Sequence, residues 1–441
     1  METTEADFIS LDRRYSCRAR YGRPDRYRGL LSLDPAGRYI ARGAGVSYVA
    51  ASFGTEAASI CLESFDRILA FDAGAGLVEA EAGISLGKLQ DFLASKGYFL
   101  PVQPGHPQIT VGGCIALNVH GKNQFREGLF CDQVEEIGLY HPDKGLVRLT
   151  RSENPDIFEL TCGAFGLTGV IVRAVLRIKP LPSPMVRTWT LPTASLRETF
   201  AALDKLQAGC DMMHAWIDLS RPGGGGARGF VACAAFAPAP RSQRASAHGV
   251  RLTRRARPLT FSRFNRFSIP LINAGYYFLN TSLCAEKIRP LEEFAYPAAG
   301  MSFYFDLFGR KGFVERQMLI PEPHLESYAD AFEALWRRHR PPVALATAKL
   351  FRGRGRLLNF AGTGASLTLD VAGKDENRAF HDELDALNRR WAVLDNPAKD
   401  SRLSRETAAA EYPGFGSFHA RLRVFDPERK FRSEVSERLG L

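Results

Sequence analysis

Two short segments concentrate glycine beside hydrogen-bonding side chains. The first is Ala41-Arg42-Gly43-Ala44-Gly45-Val46-Ser47-Tyr48; the second runs from Pro104 to Asn123, with Gly105, Thr110, Val111, Gly112 and Gly113 leading into Asn118-Val119-His120-Gly121-Lys122-Asn123. Glycine lets a chain turn sharply and bring backbone amides close to an anion, and a pyrophosphate is the guest that suits such turns. The first segment is not the G-x-G-x-x-G dinucleotide fingerprint, because Tyr48 stands where the third glycine would be. Alone it is equally compatible with a plain tight turn. Two such loops in one region make a wrapped, phosphate-bearing cofactor the better account, and within the second loop His120 reads as a cofactor contact.

The elements that must hold these loops are short. Tyr39-Ile40-Ala41, Ser59 to Leu62, Gly76 to Ala80 and Gly169 to Val172 read as strands broken by Gly, Asp and Pro. Between them Leu86, Leu89 and Leu93 recur at helical spacing behind Ser85, a natural N-cap. The prolines of Pro180-Leu181-Pro182-Ser183-Pro184 remove backbone donors and mark a domain boundary. Beyond it the pattern predicts a helix over 195–208, strands around Ala215-Trp216-Ile217 and over 229–236, amphipathic helices over 323–340 and 377–390, and strands over 343–351 and 366–371. The run Gly223 to Gly226 lacks the Lys-Ser/Thr pair of a phosphate loop and reads as a hairpin tip. The expected fold class is α+β in two domains.

Composition narrows the function classes. At 441 residues the chain exceeds what one core usually serves. Its net charge of +10 is dispersed, with no zinc spacing or nucleic-acid module, so nucleic acid is not expected as a partner. For the densest basic run, Arg251, Arg254, Arg255 and Arg257, a solvated loop and attraction to a phosphorylated substrate or anionic membrane both stay open. Eight scattered cysteines without CxxC fit reduced thiols. With no signal peptide and no long apolar run, the expectation is a cytoplasmic protein, at most peripheral to a membrane, without a metal.

The pair ARGAGVSY and PGHPQITVGGCIALNVHGKN resembles the FAD-binding (PCMH-type) domain of the vanillyl-alcohol oxidase superfamily, and HGKN resembles its decaprenylphosphoryl-ribose 2′-oxidase branch. Further likenesses follow in order: Gly166 to Ile171, Ala215-Trp216, Lys349-Leu350-Phe351, Ala398-Lys399-Asp400-Ser401-Arg402 and Phe425-Asp426-Pro427. The resemblance implies an FAD domain over 1–181, a substrate domain on an antiparallel sheet over 182–393, and a segment over 394–441 that returns to the FAD domain carrying the AKDSR loop. It also implies that Arg42, Gly43, Ala44, Gly45, Val46, Ser47, Tyr48, Gly105, Thr110, Val111, Gly112, Gly113, Leu117, Asn118, Val119, His120 and Ile171 line the FAD. Many members of the superfamily attach flavin through a histidine where this chain has Val46, which has no nucleophilic nitrogen, so noncovalent FAD is expected.

The reaction the resemblance implies is oxidation of a secondary hydroxyl of a ribofuranosyl-type sugar, free or prenyl-phosphoryl-linked, to a ketone, as the first half of an epimerisation finished by a separate ketoreductase. Such chemistry needs a base or polarising cation near the hydroxyl, and Lys399 and Lys349 are the candidates. For both, a surface salt bridge is the alternative. Gln317 and Trp216 are expected at the substrate, as are Ser366 and Thr368, which replace an asparagine and a cysteine of the branch and leave the sugar open. Two other readings stand beside it: an aldonolactone or small-polyol oxidase, and a non-catalytic flavoprotein that binds an anionic lipid.

Overall fold

The computed structural model describes residues 2–221, 227–238, 259–283, 286–297, 302–373 and 375–441. The Gly223 to Gly226 run, the Arg251 to Arg257 cluster and Cys284 lie outside the described residues; the other seven cysteines are free thiols.

Two hydrophobic cores divide the chain. One collects Ile40, Val78, Leu89, Val111, Ile137 and Ile171 with residues of the chain's end such as Phe418 and Leu439. It is organised by a five-stranded antiparallel sheet in the order Ile68–Asp72, Leu77–Glu81, Val170–Arg177, Val134–His141, Gly145–Thr150. Beside it lies a four-stranded sheet in the order Thr4–Ile9, Ser16–Gly22, Ala58–Cys61, Tyr39–Arg42. Helix Leu86–Ser95 buries Leu86, Leu89 and Leu93, and Ser85 caps it by accepting from the Lys88 amide. The tail returns to this half: Tyr39 donates to Lys430 O at 2.7 Å and Arg432 donates back to Tyr39 O at 3.0 Å.

The other core, from Leu196 to Val393, sits between helices and one face of an eight-stranded antiparallel sheet. Its strand order is Glu286–Pro290, Met185–Thr193, Gly229–Phe236, Met212–Ile217, Val343–Phe351, Gly364–Ala372, Phe313–Pro321, Leu394–Asp395. Helices Leu196–Leu206, Leu325–His339 and Arg378–Arg390 cover that face with Phe200, Phe332, Trp336, Phe380 and Leu384. The opposite face is left for other work.

The run His120 to Gln124 ties the two halves together. Lys122 Nζ donates to Phe294 O at 2.6 Å and Ala295 O at 2.8 Å, and Lys122 O accepts from Met213 N at 3.0 Å. Gln124 exchanges two hydrogen bonds with the Arg352 backbone at 2.8 and 3.0 Å.

Candidate active site

Strand pairing decides which side chains meet. Residues directly opposite in antiparallel strands share a face of the sheet, as do residues two apart along one strand. The register therefore builds rows across the face opposite those three helices. Gln317 pairs with Thr368, Thr368 with Thr347, Thr347 with Trp216, and Trp216 with Phe230. In the next row Leu319 pairs with Ser366 and Ser366 with Lys349; on the other side Glu315 pairs with Asp370. The five expected catalytic and substrate residues other than Lys399 thus lie in two adjacent rows, Gln317, Thr368 and Trp216 in one, Ser366 and Lys349 in the other.

Lys399 arrives from the loop after Leu394–Asp395. Its Nζ lies 2.9 Å from Glu315 Oε1 and 3.8 Å above the Tyr48 ring, so the AKDSR loop, the eight-stranded sheet and the first glycine loop meet at one ammonium. The loop is anchored from the sheet's other face by Arg316, whose buried guanidinium pairs with Asp395 at 3.1 Å, Asp400 at 2.8 Å and Asp385 at 2.7 Å.

A chain of amides orients His120. Asn396 Nδ2 donates to Gln317 Oε1 at 2.6 Å, which turns the Gln317 Nε2 to His120 Nε2 at 3.0 Å. That network assigns the hydrogen of the ring to Nδ1, facing Gly121 O at 3.4 Å. Phe351 packs edge-on against the imidazole, 4.8 Å between centroids. Burial, then Lys349 and Lys399, hold His120 well below the ordinary histidine range, so the ring is neutral.

Lys349 has no hydrogen-bond or ion-pair partner among the described residues, and burial followed by the charge of Lys399 brings its amine down to about 8, against the opposing pull of Glu315. Burial and Glu315 push the Asp370 carboxyl up to about 8, although Tyr304 Oη donates to its Oδ2 at 2.6 Å. The Ser366 Oγ is buried without a hydrogen-bond partner among the described residues.

Of the expected cofactor residues, Gly43 and Thr110 bring the two glycine-rich segments together: a side chain at position 43 would meet Thr110 Oγ1 at 2.3 Å. Gly45 holds φ at +67°, the left-handed region. A cleft of ≈ 530 Å³ opens here, lined by Ala44, Gly83, Ser85, Gly87, Gln108 and Thr110 among others. Arg42 Nη1 donates to Ser52 Oγ at 2.9 Å, Ser47 Oγ accepts from Ala51 N at 3.2 Å, and Val46 is half-buried. Thr110 caps helix Val111–Ala116 through Gly113 N, Gly112 N donates to Ala82 O at 2.7 Å, and Leu117 closes the helix. Asn118 Oδ1 accepts from Cys131 N at 3.0 Å and Val119 O accepts from Phe130 N at 2.8 Å, fixing the approach to His120. Val111 and Ile171 are buried in the first core, and Gly105 stands apart, exposed with open space around it. The small residues Gly43, Ala44 and Thr110 permit close approach of FAD, while the cleft also carries Glu63, Asp66 and Asp91 with Lys88, a lining that suits the neutral parts of the cofactor better than its phosphates.

The sequence reading missed Asn396, Asp370, Tyr304 and the role of Glu315. One signal was available: Glu315-Arg316-Gln317 interrupts the apolar strand Phe313–Pro321 although all three are buried, and buried charges require partners.

Residues 36–150 match the sequence profile of a family described as FAD binding domain. The chain is an FAD-dependent oxidoreductase, and its flavin domain is of the PCMH type found in the vanillyl-alcohol oxidase superfamily. It is 29% identical over 411 residues to decaprenylphosphoryl-β-D-ribose oxidase of Mycolicibacterium smegmatis, an alignment covering 91% of this chain and 89% of that one. L-galactono-1,4-lactone dehydrogenase 1 of Oryza sativa is 33% identical over 124 residues, 28% of this chain and 21% of that one. D-lactate dehydrogenase of Anaerostipes hadrus is 26% identical over 149 residues, 33% and 31% of the two chains. Of these three, the ribose oxidase alone aligns over most of this chain.

Proposed function

We propose that this protein oxidises a secondary hydroxyl of a ribofuranosyl-type sugar to a ketone. The observation that carries the reading is the row Gln317, Thr368 and Thr347, with Ser366 and Lys349 beside it and His120 above Gln317. Neutral donors and acceptors in that density suit a ligand with several hydroxyls. The full-length likeness to an oxidase of a prenyl-phosphoryl ribose supports the same class and favours a lipid-linked sugar. In this reading residues 1–181 and 394–441 hold FAD and residues 182–393 hold the sugar.

Arg42 to Tyr48, Gly105, Thr110 to Gly113, Leu117 to His120 and Ile171 would hold FAD, without a covalent link, since Val46 offers no nucleophile. When bound, it supplies the acceptor for the hydride leaving the carbinol carbon. The protein's own residues do the rest. Gln317, Thr368 and Ser366 fix the sugar hydroxyls, and Trp216 forms the apolar wall where the sheet meets Tyr276. Lys349 Nζ takes the hydroxyl proton, because it lacks an acid partner among the described residues and half of its amine is already in the base form at about pH 8. Lys399, paired with Glu315, steadies negative charge developing on the oxygen. The ketone is then the substrate of a separate reductase if the net change is an epimerisation.

The test is anaerobic mixing of the yellow holoprotein with prenyl-phosphoryl pentoses, nucleosides and free polyols while flavin absorbance is followed. Bleaching by a prenyl-phosphoryl pentose is expected. Bleaching by free polyols or aldonolactones alone would replace the reading with a small-polyol oxidase, and no bleaching at all would sink it in favour of a lipid-binding flavoprotein. Acid precipitation should leave the flavin in the supernatant; a yellow pellet would refute noncovalent binding.

A further inference from the structure

The second surface that calls for an account is a helix. Between Arg266 and Glu286 the sequence has no charged residue. Most of that stretch forms helix Ser268–Phe278, continued by a wide turn over Leu279–Leu283. At about 100° per residue, Leu271, Ile272, Gly275, Phe278 and Leu279 fall on one side, which faces outward, with Tyr276 at its edge turned toward Trp216. Leu271 is 78% exposed, Phe278 56% and Leu283 66%. The inner side is anchored: Ile269 is buried, Asn273 Nδ2 donates to Asp218 Oδ1 at 3.0 Å, and Arg228 stacks on Tyr277 at 4.3 Å. An unbroken apolar stripe that wide on a firmly seated helix is built to be covered.

The charge beside it in the sequence identifies the cover. From Leu219 to Ala285 the sequence holds ten arginines and no lysine, aspartate or glutamate, so this segment alone accounts for the chain's formal net charge of +10. The described members nearest the stripe, Arg263 and Arg266, are exposed just before the helix begins, and Lys287 is exposed just after it. A second copy docked on the stripe would set this positive charge against itself. A bilayer with anionic headgroups matches both the apolar face and the charge. The helix and its extension are too short to cross a membrane, and no helix among the described residues is long and apolar enough to do so.

We infer that this helix is a monotopic anchor: Leu271, Ile272, Phe278, Leu279 and Leu283 enter the interface of an anionic bilayer while Arg263, Arg266 and Lys287 contact the headgroups. The inference stands whether or not the substrate is lipid-linked. It has a consequence for access, because Tyr276 of the same helix packs 5.1 Å from Trp216, between centroids. Docking therefore places the Trp216 end of the candidate site at the membrane surface.

The test is sedimentation of the holoprotein with vesicles of phosphatidylcholine alone or mixed with an equal part of phosphatidylglycerol. Binding to the anionic vesicles is expected, roughly tenfold weaker to the neutral ones and weakened by salt. The pairs Leu271→Glu/Phe278→Glu and Arg263→Glu/Arg266→Glu should each lower the partition coefficient roughly tenfold or more, with flavin absorbance and melting temperature unchanged. Failure of the natural protein to sediment with anionic vesicles overturns the inference. So does undiminished binding by a folded Leu271→Glu/Phe278→Glu variant. Light scattering without vesicles that shows a dimer, broken by that pair, would assign the stripe to a second copy and likewise overturn it.

Discussion

Gln317 Nε2 lies 3.0 Å from His120 Nε2, joining the polar face of the eight-stranded sheet to the second glycine-rich segment. Asn396 fixes the amide from behind, so one side chain couples the strand, the HGKN run and the AKDSR loop. Gln317→Leu keeps the volume but removes both bonds, and the neutral ring loses its orientation. The expected result is a protein that retains FAD by absorbance and melts near the natural temperature, with flavin reduction slowed about 100-fold, the scale that misplacement by an ångström costs. Single-turnover reduction at the natural rate would remove this bond from the chemistry.

Lys349 sets a second expectation. Its amine is held at about 8, below the ordinary 10.5, so its base form grows tenfold per pH unit up to about 8 and saturates above. The rate of anaerobic flavin reduction should follow that curve. Lys349→Met should lose about 10²- to 10⁴-fold and flatten the profile. A Lys349→Met protein that keeps the rise through pH 8 would show that another group takes the proton.

How much of this was legible in the sequence depends on which interaction places a residue. The helix at Leu86, with its Ser85 cap, follows from local spacing, as do the strands that carry Trp216 and Lys349. That Gln317, Thr368 and Trp216 share one row does not, because it depends on the register of four strands far apart in the chain. The Arg316 cluster was hidden for the same reason: Asp385, Asp395 and Asp400 come from a helix, a strand and a loop that meet only after both sheets form. The exposed stripe at Leu271 reads as ordinary apolar sequence, and only burial distinguishes it from core.

The Lys399–Glu315 pair separates stability from chemistry. Glu315 is 5% exposed at its side chain and Lys399 29%, so Lys399→Ala leaves a carboxylate buried without its cation. Cleaving a buried pair from one side costs about 3–5 kcal/mol, and the partial exposure of Lys399 reduces that to about 2 kcal/mol here. Lys399→Ala should therefore melt lower and reduce its flavin slowly. Adding Glu315→Gln should recover most of the melting temperature and none of the rate. Recovery of both would make the pair purely structural.

Asp370 supplies the remaining pH dependence. Its carboxyl, buried beside Glu315, is raised to about 8 in the fold against 3.8 when free. Between those values the folded chain binds a proton that the unfolded chain does not, so this group's contribution to stability is complete below about pH 4 and is lost as pH rises through 8. Asp370→Asn carries no such linkage, and its amide oxygen can still accept from Tyr304 Oη, now 2.6 Å from Oδ2. The variant should thus gain on the natural protein as pH increases, by about 3–4 kcal/mol between pH 5 and pH 8, or several degrees in melting temperature. Melting curves at the two pH values decide it: a gap that stays constant would mean that Asp370 is ionised throughout and that the neighbouring Lys399 charge, not a proton, balances the Glu315–Asp370 pair.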